Sequence, residues 1–364
     1  MGDTRFLFED ILENKLTVSP VDKEAVSKVQ KEWDKIAKPI NSFGSFEHYH
    51  SKISAIQGGD APDLSHMRLI VCCGDHGIVE EGVSQTTQDV TRICATNIGK
   101  GITTAGVMAK SLGIDIVSVD VGINYSKEVP YTLNRRVKYG TCNFLKSPAM
   151  SVEEFSRAVQ VGMDLVKESK EQGFNTLLIG EMGIGNTTSA AVMAGYLLDL
   201  NAEAVTGRGA GIDDAGFSRK RAVVSMALSM YNGLSPVEIC SYFGGLELAA
   251  MTGLVIGGGL YGVPIILDGM LSMVSALVAE RLIENVKDYL IPSHISKEPV
   301  AQKLIKKLDI SPVIDGKMAV GEGAGAVMMA HMLKMTDIVF HQALKFADSE
   351  VEQYENFEES KKSE

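Results

Sequence analysis

Three short glycine-rich segments hold the residue types best suited to chemistry: "GEMGIGNTT" (180–188), "GRGAG" (207–211) and "GEGAGA" (321–326). Glycine lets backbone N–H groups approach an anion closely, and the start of a following helix adds free N–H groups and a positive dipole end. A phosphorylated ligand is therefore expected at these loops. The segments do not match a Walker loop, and the dinucleotide fingerprint G-x-G-x-x-G is absent after the first predicted strand.

Two of these loops also contain a glutamate, Glu181 and Glu322. A carboxylate beside an anion site is a poor phosphate ligand because like charges repel, but it is well placed to accept a proton. In a partly desolvated cleft its pKa is expected to rise toward neutrality, which suits a general base. The alternative is that each glutamate only caps a helix N-terminus, and the spacing alone leaves both interpretations open.

Two further side chains are candidates for contact with such a ligand. Lys220, in "FSRKRAV" beyond the second glycine loop, either reaches a phosphate or is an ordinary solvated lysine. His294, in "IPSHIS", ends an apolar run and either lines the cleft or is a structural histidine. The segment "GDHGIVEEG" (74–82) invites a metal or acid–base interpretation, but one histidine among carboxylates is too little for zinc. No metal is expected.

The elements that position these residues are apolar strands alternating with capped helices. Ser151 with Glu154 forms a capping box, and Ser235 with Glu238 repeats that start signal. The alternation predicts an α/β fold with a doubly wound, mostly parallel sheet, whose ligand site lies at the carboxyl ends of the strands. Each glycine-rich segment is expected to follow such a strand end. The predicted strands are 68–74, 114–122, 175–180, 263–269 and 288–294.

Composition excludes several classes of protein. The chain has 35 basic and 46 acidic residues, a formal charge of −11 and no basic run, so nucleic acid is not expected as a partner. Its five cysteines form no C-x-x-C pair, and no secretory signal is evident, which indicates a cytoplasmic protein. Residues 248–267 are uncharged and long enough to span a bilayer, but their glycines and Pro264 favour a packed helix, a glycine turn and a buried strand.

The two ends of the chain have a different, helical pattern. Segments 19–38 and 38–59 are expected to form helices, and "HQALKFADSE" (341–350) begins as a helix before an acidic tail. We therefore predict a small helical subdomain with the tail from residues 1–62 and 335–364. Residues 63–334 are predicted to form a Rossmann-like catalytic domain.

Taken together, eight ordered segments resemble the nicotinate-nucleotide:dimethylbenzimidazole phosphoribosyltransferase family of cobamide biosynthesis. The resemblance covers about residues 35–335 and implies a parallel sheet of about six strands flanked by helices, a small helical domain from both chain ends, and a dimer. The matching segments are "KPINSFGSFE" (38–47), "GDHGIVEEGVS" (74–84), "VDVGI" (119–123), "GEMGIGNTT" (180–188), "GGLELAAMTG" (244–253), "PIILDG" (264–269), "IPSHIS" (291–296) and "VGEGAGA" (320–326).

The resemblance implies transfer of phosphoribose from nicotinate mononucleotide to an aromatic acceptor, giving an α-ribotide and nicotinate. Nicotinate leaves a positively charged pyridinium as a neutral ring, so no cofactor is expected to assist its departure. The acceptor becomes a good nucleophile only as it loses a proton. By match to "GEG" the implied base is Glu322, and by match to "GEMG" a second carboxylate, Glu181, faces the acceptor.

The remaining predicted site residues divide between donor and acceptor. Those expected to bind the donor and its phosphate are Gly183, Gly185, Asn186, Thr187, Gly207, Gly209, Lys220, Ser293, Gly321 and Gly323. Those expected to line the acceptor pocket are Thr86, Cys94, Met182 and His294.

Two departures from the family pattern bear on the acceptor. The usual "KPPGS" reads "KPINS", and the loop after "EEGV" reads "SQTTQ", without the proline often found there. The expected acceptor is 5,6-dimethylbenzimidazole or a close analogue. Phenol or p-cresol stays open, with the chain acting either as a homodimer or in a heterodimer with a homologous subunit.

Three other classes compete with this interpretation. A dinucleotide-dependent oxidoreductase would need fingerprint glycines after its first strand, and these are absent. A phosphoribosyltransferase with a pyrophosphate donor would need paired acids after a β-branched run, whereas Asp213 and Asp214 follow a glycine loop. A non-catalytic homologous subunit is disfavoured because Glu181 and Glu322 are both retained.

Overall fold

The computed structural model describes residues 8, 10–11 and 16–354, which form two compact units. The larger unit contains the described residues up to Pro20 together with His66–Met329. The smaller unit contains Val21–Ser65 and the described residues from Ala330 onward. The predicted domain limits stay a prediction, and the end of the predicted acidic tail, residues 355–364, lies outside the described residues.

The larger unit is built on a six-stranded sheet in which all paired strands are parallel. The strands are β1 (Met67–Gly74), β2 (Asp115–Gly122), β3 (Leu133–Asn134), β4 (Thr176–Met182), β5 (Ile265–Ile266) and β6 (Leu290–Ile291). The strand order is β3-β2-β1-β4-β5-β6. From β1 to β3 successive strands are added on one side, and from β4 to β6 they are added on the other. A crevice at the carboxyl ends is expected between β1 and β4, where the order switches. The predicted α/β fold is confirmed. The short β3, which is exposed and carries no apolar run, was not predicted from the residues.

Helices cover the sheet, and both predicted capping boxes are confirmed. Ser151 accepts from the backbone of Glu154, whose side chain bonds back to Ser151, and Ser235 and Glu238 repeat the arrangement. The described helices are α1 (Lys23–Trp33), α2 (Ser45–Gln57), α3 (Asp89–Lys100), α4 (Thr104–Ser111), α5 (Val152–Glu171), α6 (Asn186–Leu198), α7 (Ala202–Val205), α8 (Asp214–Leu228), α9 (Pro236–Phe243), α10 (Leu246–Tyr261), α11 (Met270–Leu282), α12 (Ala301–Leu308) and α13 (Ala324–Gln342).

The uncharged segment 248–267 forms the predicted packed helix, glycine turn and buried strand. It contains most of α10, the left-handed Gly262 at the end of that helix, and then β5. The helix packs against α5 at backbone distance, since a Cβ added to Gly162 would lie 2.0 Å from the Ala250 carbonyl oxygen. In the part of the chain that the structure describes, none of the helices has the length and apolar character needed to cross a membrane.

The smaller unit contains the two helices predicted near the start of the chain, α1 and α2. Its core includes Trp33, whose indole N–H donates to His50 Nδ1 at 3.3 Å, while His50 Nε2 lies 3.1 Å from Asp337 Oδ1. The helix predicted to begin in "HQALKFADSE" is the end of α13, so only His341 and Gln342 of that segment belong to it. A short 3-10 turn follows at Phe346–Asp348.

Candidate active site

The first wall of the site is the turn that leaves β4. Glu181 lies near the end of this strand, and the chain then turns through Gly183 and Gly185 into α6. A Cβ on Gly183 would lie 2.5 Å from the Gly74 carbonyl oxygen, so glycine is needed where the turn passes the end of β1. Gly185 has φ +98°, a backbone conformation that also favours glycine. Asn186 and Thr187, at the start of α6, therefore border the crevice, and anion binding at this loop stays a prediction.

Glu181 is a buried carboxyl with a perturbed pKa. Only 8% of the residue is exposed, and its pKa is raised to about 8, first by burial and then by the nearby charges of Asp268 and Glu247. The side-chain amide of Asn186 donates to Oε2 and partly opposes this shift. A carboxyl of this kind holds a proton near neutral pH, which is typical of residues in functional sites.

The second wall is the loop that carries Glu322. Gly321, Glu322 and Gly323 have φ values of +78°, +59° and +85°, so a non-glycine residue is held in the left-handed region between two glycines. A Cβ on Gly321 would lie 2.8 Å from Glu181 Oε1, which shows that the two glutamate loops approach each other closely. Glu322 precedes α13 but caps a different helix, since Oε2 accepts from the Ala105 N–H of α4 at 3.2 Å. The position of Glu322 is thus compatible with both predicted roles, a general base and a residue that caps a helix N-terminus.

Asp268 holds the Glu322 loop in place. It lies two residues after β5, is 5% exposed, and accepts from the N–H groups of Gly325 at 2.8 Å and Gly323 at 3.2 Å. Burial raises its pKa to about 7, and these backbone hydrogen bonds oppose the rise. Asp268 is not among the site residues predicted from the sequence, although an aspartate directly after an apolar run, in "IILDG", is a recognisable signal for a strand-end site.

These two walls enclose a cleft with an empty volume of about 910 Å³, part of it open to solvent. The predicted site residues that line it are Glu181, Met182, Gly183, Asn186, Thr187, Gly209, His294, Gly321 and Glu322. Apolar side chains line it as well, namely Ile184, Met251, Met270, Leu271 and Val320.

Lys220 lies beside the second glycine loop and is not a solvated lysine. It is 1% exposed on α8, and its ammonium donates to Thr187 Oγ1 at 2.8 Å. Burial lowers its pKa to about 8, and the charge of Glu298 opposes the shift. Glu298 in turn accepts from the Gly209 N–H at 3.1 Å, and it was not recognised from the sequence.

The prediction that every glycine-rich segment follows a strand end is wrong for two of the three. "GRGAG" follows the short helix α7, and "GEGAGA" follows an irregular stretch that runs from α12 to α13. Both reach the crevice through long-range contacts instead. For example, Glu298 lies so close to Gly207 that a Cβ there would be 1.8 Å from its Oε2.

The other predicted residues take different positions around the cleft. Ser293 is buried beneath it and donates to the Asp268 carbonyl oxygen at 3.2 Å. His294 lines the cleft with a pKa lowered by burial, 3.8 Å from Asp268 Oδ1. Cys94 on α3 is half-buried, and its pKa is raised by burial and by the charge of Glu322. Thr86 is exposed in the loop before α3, and it is not among the residues that line the cleft.

The histidine of the segment after β1, His76, makes contacts that support the structure. His76 is fully buried, with Nε2 at 2.6 Å from Glu247 Oε1 and Nδ1 at 2.8 Å from Ser189 Oγ. A Cβ on Gly183 would lie 3.3 Å from His76 Nε2, so this pair lies directly under the turn after β4. His76 and Glu247 therefore support the first wall of the cleft.

Comparison with known proteins identifies the family. A model of a phosphoribosyltransferase family matches residues 18–351. The chain is 36% identical over 341 residues to the nicotinate-nucleotide–dimethylbenzimidazole phosphoribosyltransferase of Acetivibrio thermocellus, covering 93% of this chain and 97% of that protein. The chain belongs to this phosphoribosyltransferase family.

Other members of the family agree in sequence and in structure. The protein of the same name from Chlorobaculum parvum is 35% identical over 338 residues, covering 92% of this chain and 96% of that protein. The crystal structure of CobT from Thermus thermophilus superposes with a TM-score of 0.85 at 34% identity, covering 91% of this chain and all of that one. The predicted resemblance is confirmed, and the oxidoreductase alternative is excluded.

Proposed function

We propose that the protein transfers phosphoribose from nicotinate mononucleotide to an aromatic base, 5,6-dimethylbenzimidazole or a close analogue. The products are an α-ribotide for cobamide synthesis and nicotinate. The observation that carries the proposal is the pair Glu181 and Glu322, which line one cleft together with the glycine turn after β4. Membership of the phosphoribosyltransferase family supports the same reaction.

The donor phosphate is assigned to the side of the cleft that carries Thr187 and Gly209. A helix N-terminus attracts an anion, and α6 begins at this side of the cleft, although the N–H groups of Asn186 and Thr188 also bond to carbonyl oxygens of the preceding turn. Lys220 lies 2.8 Å from Thr187 Oγ1. Binding of a phosphate there favours the charged form of Lys220, whose pKa is about 8 in the free protein. The donor thus gains a contact with a lysine that is already mostly charged at neutral pH.

The role of general base, which takes a proton from the acceptor, is assigned to Glu322. At neutral pH Glu181, with a pKa of about 8, mostly holds its proton and so is a poor proton acceptor. Glu322 removes the N–H proton of the acceptor while the other ring nitrogen bonds to C1′ of the ribose. The bond from C1′ to nicotinate breaks, and its electron pair remains on the nicotinate nitrogen. Attack on the face opposite nicotinate inverts C1′, which gives the α configuration.

The acceptor itself is tested by competition. The purified chain is incubated with nicotinate mononucleotide and an equimolar mixture of dimethylbenzimidazole, adenine, phenol and p-cresol, and the ribotides are identified by mass. We expect dimethylbenzimidazole ribotide to predominate. Phenolic ribotides alone would refute the proposed acceptor but not the donor chemistry, and no ribotide from any acceptor would refute the proposed function of the isolated chain.

The assembly is part of the same proposal. We expect a homodimer, measured by light scattering on the protein used for the assay. Activity that arises only after a homologous chain is added would indicate the heterodimer instead. Control reactions without nicotinate mononucleotide establish that each ribotide takes its sugar from that donor.

A further inference from the structure

The side chain of Glu322 is held by the N-terminus of α4, a contact that was not predicted from the sequence. Its Oε2 accepts from the backbone N–H of Ala105 at 3.2 Å. Ala105 is the second residue of α4 and is fully buried. The first N–H groups of a helix have no partner within the helix, and a buried one without any partner is costly. Glu322 therefore satisfies a donor that has little access to water.

The position of this donor is fixed by close backbone packing. Gly101 ends α3 with φ +65°, and α4 begins three residues later. A Cβ on Gly106 would lie 2.8 Å from the Gly101 backbone, so the first turn of α4 packs directly on the turn after α3. This close packing restricts movement of the first turn of α4, to which the Ala105 N–H belongs.

We propose that the Ala105 N–H is a positioning group that binds Oε2 of Glu322 and directs Oε1 toward the acceptor. This inference rests on the proposed function, in which Glu322 is the base. Two contacts then hold the strained loop: Asp268 binds its backbone at Gly323 and Gly325, and Ala105 binds its carboxylate. A carboxylate with one oxygen fixed loses less freedom when the acceptor binds.

The test removes this one N–H group by the substitution Ala105→Pro. Proline is tolerated in the first turn of a helix because the N–H groups there make no helical hydrogen bond. The matched control is Thr104→Pro, one residue earlier, because Thr104 is exposed and the N–H that contacts Glu322 belongs to its neighbour. Circular dichroism and thermal unfolding of both variants establish that they are folded.

For Ala105→Pro we expect kcat to fall about 10–100-fold, the usual effect of losing a hydrogen bond to a charged group, with the KM for nicotinate mononucleotide unchanged. Thr104→Pro is expected to keep the wild-type kcat and KM. A wild-type kcat for Ala105→Pro, or an equal loss in both variants, overturns the inference, whereas a wild-type enzyme that makes no ribotide refutes the proposed function instead.

A second measurement does not depend on the proline variants. The Ala105 amide proton, followed by NMR in isotope-labelled protein, is expected to differ in chemical shift between the wild type and Glu322→Gln, because a neutral amide replaces the carboxylate that accepts its hydrogen bond. The other amide resonances are expected to show that the fold is kept. An Ala105 resonance at the same position in both proteins overturns the inference.

Discussion

Replacing the buried Lys220 is expected to change the stability and the donor affinity of the protein in opposite directions. The ammonium is 1% exposed, and burial is the main reason that its pKa is low. The shift from 10.5 to about 8 corresponds to about 3 kcal/mol of destabilisation of the charged form. A lysine buried at such a cost in the free protein is expected to have a function when the ligand is bound.

We expect Lys220→Met to stabilise the protein at pH 7. Methionine fills a similar volume without a charge, so the cost of about 3 kcal/mol is removed, while the lost hydrogen bond to Thr187 costs about 1 kcal/mol. The expected net gain is about 2 kcal/mol in the free energy of unfolding. The same variant is expected to raise the KM for nicotinate mononucleotide about 10–100-fold with little change in kcat, because the charge binds ground state and transition state alike.

The pH dependence follows from the direction of the shift. Below pH 8 the lysine is charged in both the folded and the unfolded chain, so the full cost is present. Between pH 8 and pH 10.5 the folded protein has lost this proton while the unfolded chain still holds it, and the wild type gains stability relative to the variant. Urea unfolding of both proteins at pH 7 and at pH 10 is therefore expected to show an advantage of the variant that shrinks with rising pH.

The matched control is Lys303→Met, at an exposed lysine on α12. This variant is expected to have the same free energy of unfolding as the wild type at both pH values and the same KM for nicotinate mononucleotide. A Lys220→Met protein that is less stable than the wild type at pH 7, with a difference independent of pH, would show that the burial argument is wrong. Unchanged affinity for the donor in calorimetry would remove Lys220 from the donor site.

Two further substitutions test the carboxyl groups. Glu322→Gln is expected to lower turnover about 10²–10⁴-fold while calorimetry still detects binding of nicotinate mononucleotide, and near wild-type turnover would reject Glu322 as the base. Asp268→Asn replaces one acceptor oxygen for the loop N–H groups by a donor, so kcat is expected to fall about 10–100-fold. It also removes a negative neighbour of Glu181, whose pKa is then expected to drop from about 8; an unchanged titration in carbon-detected NMR would contradict that coupling.

The sheet was predictable because its strands are buried on both faces and therefore appear as apolar runs. The lengths were less predictable. The runs at 263–269 and 288–294 contain only two paired residues each, Ile265–Ile266 and Leu290–Ile291. Hydrophobicity reports burial, whereas a strand also requires a hydrogen-bonded neighbour over its length. For the same reason the exposed pair Leu133–Asn134 was missed.

Within the site, the predictable part was the part controlled by local geometry. Glu181 and Gly183 lie where a strand meets a helix, and a glycine-rich turn at such a point is visible in the sequence. Glu298 and Ala105 were missed because their roles depend on distant partners. The Ala105 N–H, for example, meets a carboxylate 217 residues away in the chain, and an alanine at the start of a helix has no chemical signature of its own.

The electrostatics of the cleft argue that its charged residues are kept for chemistry and not for stability. Glu181, Asp268 and Lys220 are all buried, and burial is the largest cause of the shift in pKa for each of them, to about 8, about 7 and about 8. Replacing such groups by apolar residues of similar volume is often neutral or stabilising, so packing alone does not explain them. Because all three titrate near neutrality, small changes in local charge alter their protonation. In the proposed reaction, a donor phosphate near Lys220 and a proton lost by the acceptor near Glu322 are changes of that kind.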